Sequence, residues 1–189
     1  MLKKTIIAAA LLAALCSQAQ AATLTADGAW NAFDVDDLTS ASGNLEWIDL
    51  NGNVLSFDFT LTESAYLKVV DGGFAGDRFN VYDNGVLLDQ TSAVANTYPG
   101  SIGLNFDTAF VSDIFSKGLF LLGAGNHSIT GLLSQSALDD SNLPINATVG
   151  AVSLTAVPLP AAAWLYLTGT ALMGFVSRRS KANNLEQAS

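Results

Sequence analysis

"VLSFDFTL", residues Val54 to Leu61, alternates apolar and polar side chains without a break. Leu55, Phe57, Phe59 and Leu61 fall on one side, and Ser56, Asp58 and Thr60 on the other. Successive side chains of a strand point to opposite faces, so this is a strand with one face on a core and one in water. Just before it stand "EWIDL" (46–50) and "NGN" (51–53). Asn51-Gly52 supplies the positive φ angles of a tight hairpin, which predicts a strand–turn–strand unit here.

Working outward, the same period recurs. "AYLKVVD" (65–71) leads through a glycine-rich loop to "RFNVYD" (78–83), a spacing that predicts a second hairpin. Asn84-Gly85 then turns the chain into "VLLDQT" (86–91). "GLFLL" (118–122), the turn "GAGN" (123–126) and "HSITGLL" (127–133) follow. "VGAVSLTAV" (149–157) is the last strand, with Val152 and Leu154 inward and Ser153 and Thr155 outward. "FDTAFVSDIFSKG" (106–118) is the one stretch with room for a helical turn, and no repeat is visible. Short strands at near-regular spacing predict an all-β domain over 22–156, an antiparallel β-sandwich of jelly-roll-like type.

The two ends read differently. Lys3 and Lys4 precede an apolar run from Thr5 to Leu15, and Ala19-Gln20-Ala21 has the small-x-small form of a cleavage site. A run of about 12 residues is too short to span a ~30 Å hydrocarbon core, so 1–21 reads as a secretory signal peptide cut after Ala21. The rival, a lipid-bearing Cys16, is opposed by the bulky Leu15 before it. Cys16 is the single cysteine, so a mature chain starting at Ala22 has no disulfide and no thiolate metal site.

At the other end, Pro158 and Pro160 stop the final strand. An uncharged run follows to Val176, then Arg178, Arg179 and Lys181. Helix from Pro160 to Val176 would be about 26 Å long, enough for one short span with the basic cluster on the cytoplasmic side and 182–189 as a cytoplasmic tail.

"VPLPA" (Val157, Pro158, Leu159, Pro160, Ala161), an apolar helix (162–176) and a basic cluster (178–181), in that order, resemble the PEP-CTERM class of C-terminal sorting signals in its VPLPA variant. The resemblance covers residues 157–181. It implies Sec-dependent export in a Gram-negative bacterium, a transient stay in the inner membrane, and recognition of the motif by an exosortase. Arg178, Arg179 and Lys181 would hold the tail in the membrane. Tails of this class usually end soon after the basic cluster, whereas "ANNLEQAS" continues here. The class accompanies exopolysaccharide production, which makes an exopolysaccharide an implied partner and the cell surface or biofilm matrix an implied destination. Through "LKVVDGGFAGDRFNVYDNG" (67–85) and "GAGNHSITG" (123–131) the body, too, is similar to extracellular β domains joined to such tails.

The chain carries 17 acidic and 8 basic residues, and 16 of the acidic ones lie in the body against Lys68, Arg78 and Lys117. So acidic a surface repels phosphates and excludes nucleic acid as a partner. The densest polar constellation is "DGGFAGDRFNVYDNG". Asp71, Asp77 and Asp83 are candidate calcium ligands there, since calcium takes hard oxygens; the competing reading is that they cap turns. Ala75 stands where a calcium nonapeptide would have its third glycine, and EF-hand spacing is lacking.

His127, the only histidine, is expected at a sheet edge with a wet imidazole, and one histidine without cysteine makes no structural zinc site. No nucleophile turn supports a Ser-His-Asp triad. A glycosidase would need two facing carboxylates, with Glu46, Glu63, Asp36/Asp37 and Asp139/Asp140 as candidates. Trp30 and Trp47 are candidate sugar platforms or core residues. These observations predict a non-enzymatic exported protein, with a carbohydrate-binding or adhesive module and a polysaccharide hydrolase as alternatives.

Overall fold

The computed structural model describes residues 20–145 and 148–157. These form β-structure in three sheets, with one short helix among the described residues. In chain order the strands are β1 (Gln20–Thr23), β2 (Asp27–Val35), β3 (Leu55–Leu61), β4 (Ala65–Asp71), β5 (Gly73–Phe74) and β6 (Arg78–Asp83). They continue as β7 (Val86–Gln90), β8 (Ser101–Gly103), β9 (Lys117–Leu122), β10 (Gly125–Gln135) and β11 (Thr148–Ala156). The helix α1 (Phe106–Val111) sits between β8 and β9.

One main sheet has the order β1-β3-β10-β6-β7 and the other β2-β11-β4-β9. Every pairing within them is antiparallel except that of β1, which runs parallel to β3 with Gln20 opposite Leu55. The edge pair is therefore a correction to an all-antiparallel reading. Ala21 lies within β1, and cleavage after it would leave Ala22 and Thr23 paired with Phe57 and Asp58.

The faces follow the alternation in the sequence. Leu55, Phe57 and Phe59 from the first sheet meet Phe33, Leu67, Val69, Val152 and Leu154 from the second in one buried cluster. Trp47 lies fully buried at its centre. Its backbone wedges between two strands: its N–H donates to Gly131 O at 3.0 Å and its carbonyl accepts from Leu55 N at 2.8 Å. The indole stacks on Phe33 at 4.0 Å and meets Phe57 and Phe79 edge-on. Trp47 is thus core, not a sugar platform. Gly131 permits this arrangement, because any Cβ there would overlap the indole.

A second, smaller cluster covers the outer face of the β2-β11-β4-β9 sheet. Phe106 and Ala109 of α1 pack with Phe115, Ala75, Val70 and Ala151. Asn105 caps the helix by accepting from Thr108 N at 3.2 Å. Trp30, half-buried, donates its Nε1–H to Asp107 at 2.8 Å and rests against Phe110 at 5.7 Å.

The Asn51-Gly52 turn is a hairpin, closed by Asp49 N to Asn53 O at 2.9 Å. Asn84 and Gly85 have φ of 50° and 78°, as the two-residue turn between β6 and β7 requires. The expected hairpin of 65–71 with 78–83 is not formed: β4 and β6 belong to opposite sheets, and the loop between them crosses the core. β9 and β10 divide between the sheets in the same way.

At the side where β7 approaches β9, buried hydroxyls bridge the sheets. Phe79 N donates to Thr91 Oγ1 at 3.0 Å, Thr91 Oγ1 lies 2.6 Å from Ser116 Oγ, and Ser116 Oγ donates to Ser92 O at 2.6 Å. Among the described residues no helix is long and apolar enough to cross a membrane. The apolar run 162–176, the basic cluster 178–181, the motif from Pro158 onward and the signal segment through Ala19 lie outside the described residues.

Candidate functional site

The crossing between β4 and β6 brings two of the three candidate ligands together and separates the third. Asp71 closes β4 and Asp77 directly precedes β6, and the five residues between them fold back so that Gly76 N reaches Asp71. Gly76 makes the fold possible: its φ is 139°, and a Cβ there would lie 3.0 Å from Asn96 Oδ1 and 3.1 Å from Ala137 Cα. Gly72 serves at the other shoulder, where a Cβ would sit 2.8 Å from the Phe106 ring that covers the loop.

Both carboxyls are buried, Asp71 completely and Asp77 at 2% exposure. Asp71 Oδ2 accepts from Gly76 N at 3.2 Å. Asp77 Oδ1 accepts from Ala137 N at 2.6 Å, and its Oδ2 from Thr148 Oγ1 at 3.0 Å. Burial pushes the Asp71 carboxyl up to about 9, and the charge of Asp77 adds to that, against the N–H groups of Gly76, Asp77 and Gly72. Burial likewise raises Asp77 to about 6, opposed by Ala137 N–H and the Thr148 hydroxyl. Both are interior groups, and Asp71 at the same time caps its own loop through Gly76 N–H.

Asp83 stands at the far end of β6 and does not join them. Its Oδ2 lies 2.8 Å from His127 Nδ1, while His127 Nε2 lies 3.0 Å from Gly123 O. His127 belongs to β10, an inner strand, and its ring stacks on Phe59 at 5.4 Å. The wet edge imidazole expected from the sequence is therefore corrected. The ring is largely buried and engaged at both nitrogens. Among the described residues no three His, Cys, Asp or Glu side chains converge as a metal cluster.

Thr148 links the buried pair to a cleft of about 530 Å³ at the start of β11. Asp34, Asp36, Thr39, Asp49 and Asn51 line it, together with Thr148. Burial, and then the charge of Asp36, raises the Asp34 carboxyl above its ordinary value. Asp49, although burial opposes it, is held below the ordinary value by hydrogen bonds from Asn53 and Asn51. Three of those bonds, from Asn51 N and from Asn53 N and Nδ2, close on Asp49 Oδ1, so this carboxylate is engaged in its own turn.

The glycosidase candidates scatter. Asp36 reaches the cleft, whereas Glu46 accepts from Ser40 and Ser42. Asp139 caps its own turn through Ser141 N and Leu143 N, and Glu63 lines a different cavity. Sequence reasoning missed Asp34, Asp49 and Thr148. Asp34 alternates with Phe33 and Val35 in "AFDV", a strand signal that would have placed it on the face away from the main core.

No family model matches the chain, and no curated protein matches it. Among solved structures it is similar to the pre-peptidase C-terminal domain of collagenase from Bacillus anthracis. That likeness has 6% identity and a TM-score of 0.38, covering 74% of this chain and 96% of that one. It says nothing about what this chain does.

Proposed function

We propose that this is an exported, non-enzymatic surface or extracellular-matrix protein, sorted through its C-terminal tail by an exosortase and working beside an exopolysaccharide. The observation that carries the reading is the order in the sequence: signal segment, acidic body, VPLPA motif, uncharged run, basic cluster. One feature of the fold supports it. β11 ends at Ala156, and the compact unit ends there too, so the motif starting at Val157 can be cut without opening a strand pairing. The proposal includes a jelly-roll topology for the body. Leaving aside β1 and the small β5–β8 sheet, successive strands alternate between sheets except at the β6–β7 hairpin, in orders β2-β11-β4-β9 and β3-β10-β6-β7, as two interleaved Greek keys do.

The test is replacement of Pro158 and Pro160 by alanine in the expressing bacterium. The body should fold as before and accumulate uncleaved in the inner membrane. Release at the normal rate, with the normal mature mass, would refute the sorting reading.

The cleft favours a second reading, a carbohydrate-binding module. Its carboxylates, Thr39 and Asn51 offer acceptors and donors suited to sugar hydroxyls. Titration with the purified surface polysaccharide tests it, and binding undiminished by Asp34→Asn with Asp36→Asn would place the ligand elsewhere.

A further inference from the structure

Asp71 poses a problem that its protein neighbours do not solve. Its Oδ1 is buried and finds no hydrogen-bond partner among the described residues. Ionised, it is a buried charge beside a second carboxylate. Protonated on that oxygen, it is a buried O–H without an acceptor. Each condition costs free energy, and burial of an unpaired charge costs more. Among the described residues the ion pairs are Lys117 with Asp113 and His127 with Asp83, so no basic side chain neutralises either member of the pair. Arg78, next in the chain, turns its guanidinium to Thr91 O at 3.1 Å instead.

Asp77 lies across the Gly76 peptide. Each of its oxygens accepts one hydrogen bond and retains a lone pair. A cation resolves both halves of the problem, giving the stranded oxygen a partner and cancelling the paired charge. We propose that Asp71 and Asp77, with the Thr148 hydroxyl beside them, hold one hard divalent cation of the calcium type. All three groups offer oxygen only, which suits calcium better than zinc, and its flexible shell of about 6–8 oxygens is completed by backbone carbonyls and water. With two carboxylates the affinity belongs in the range of extracellular modules, Kd about 10⁻⁴–10⁻³ M. The site joins β4, the loop over the core and β11, so its role is to fasten the crossing between the sheets. This goes beyond the sorting proposal and is independent of it.

The experiment uses the purified full-length chain in detergent micelles, with calcium chloride as the probe. At mildly alkaline pH, equilibrium dialysis should find one calcium per chain, and 1 mM calcium should raise the unfolding temperature by roughly 1–5 °C over chelator. Asp71→Asn should abolish binding and the thermal shift, whereas Asp83→Asn should keep both. A wild type that binds no calcium overturns the proposal. So does binding that survives Asp71→Asn or is lost in Asp83→Asn. Dialysis of the wild type needs no variant, so a misfolded Asp71→Asn protein leaves a decisive readout.

Discussion

Gly131→Ala is the perturbation that most directly tests the packing described above. Gly131 lies on β10 opposite Val81 of β6, and Trp47 lies flat across it. An added Cβ would overlap Cε2 and Cζ2 of the indole and sit 2.6 Å from Cδ2. The ring cannot retreat, because Phe33 stacks on it at 4.0 Å and Phe57 and Phe79 meet it edge-on. Overpacking typically costs about 1–3 kcal/mol, and a clamped ring belongs at the upper end, about 3 kcal/mol. For a domain of this size that is a fall of roughly 10 °C in Tm.

The assay is urea unfolding of the body, residues 20–157, followed by circular dichroism. Gly123→Ala is the control, since a Cβ there meets nothing within 4 Å, and it should stay within about 0.5 kcal/mol of wild type. Trp47→Phe removes the benzo ring, the part that clashes. In that background Gly131→Ala should cost about 1 kcal/mol or less, a coupling of roughly 2 kcal/mol. Equal costs of Gly131→Ala in the two backgrounds would show that the indole is not what excludes a side chain at this position.

Other predictions follow from the buried polar groups. In chelator, the raised carboxyls of Asp71 (about 9) and Asp77 (about 6) stay protonated in the native state where an unfolded aspartate, near 3.8, has ionised. Their contribution is therefore full below pH 3.8 and is lost as pH rises towards 9; a urea midpoint that climbs over that interval contradicts it. Thr91→Val keeps the shape but strands Phe79 N–H, and should cost about 1–3 kcal/mol by chemical denaturation, with Thr91→Ser recovering most of it. Asp107→Ala removes the acceptor of Trp30 Nε1–H and should cost about 1 kcal/mol, with a shift in tryptophan emission; an unchanged spectrum would mean that α1 is not held by that bond.

What the sequence disclosed was local. The faces of "VLSFDFTL", the turn at Asn84-Gly85 and the inward Val152 and Leu154 depend on period-two alternation and backbone sterics, and each is found in the fold. Partner choice was not legible. "AYLKVVD" and "RFNVYD" look like the arms of a hairpin because their spacing suits one, but the loop between them is anchored by buried carboxyls and roofed by Phe106, contacts that no local pattern encodes. Asp71 and Asp77 stood out as oxygen ligands, yet nothing in a glycine-rich, polar loop announces burial. Asp83, six residues further on, looked equivalent and is not, since a strand about 20 Å long carries it to His127. The outward residues of β2 were hidden by mixed chemistry: Trp30 is covered by α1, whereas Asp34 opens on the cleft.

The last strand among the described residues, β11, lies in the interior of its sheet, flanked by β2 and β4, which are made far earlier. A polypeptide emerging N-terminus first from a ribosome or a translocation channel therefore holds an unfilled slot until Ala156 has cleared the exit. Closure then depends on contacts between the oldest and newest parts of the chain, which are slow to form. Up to that moment the nascent protein stays open and threadable.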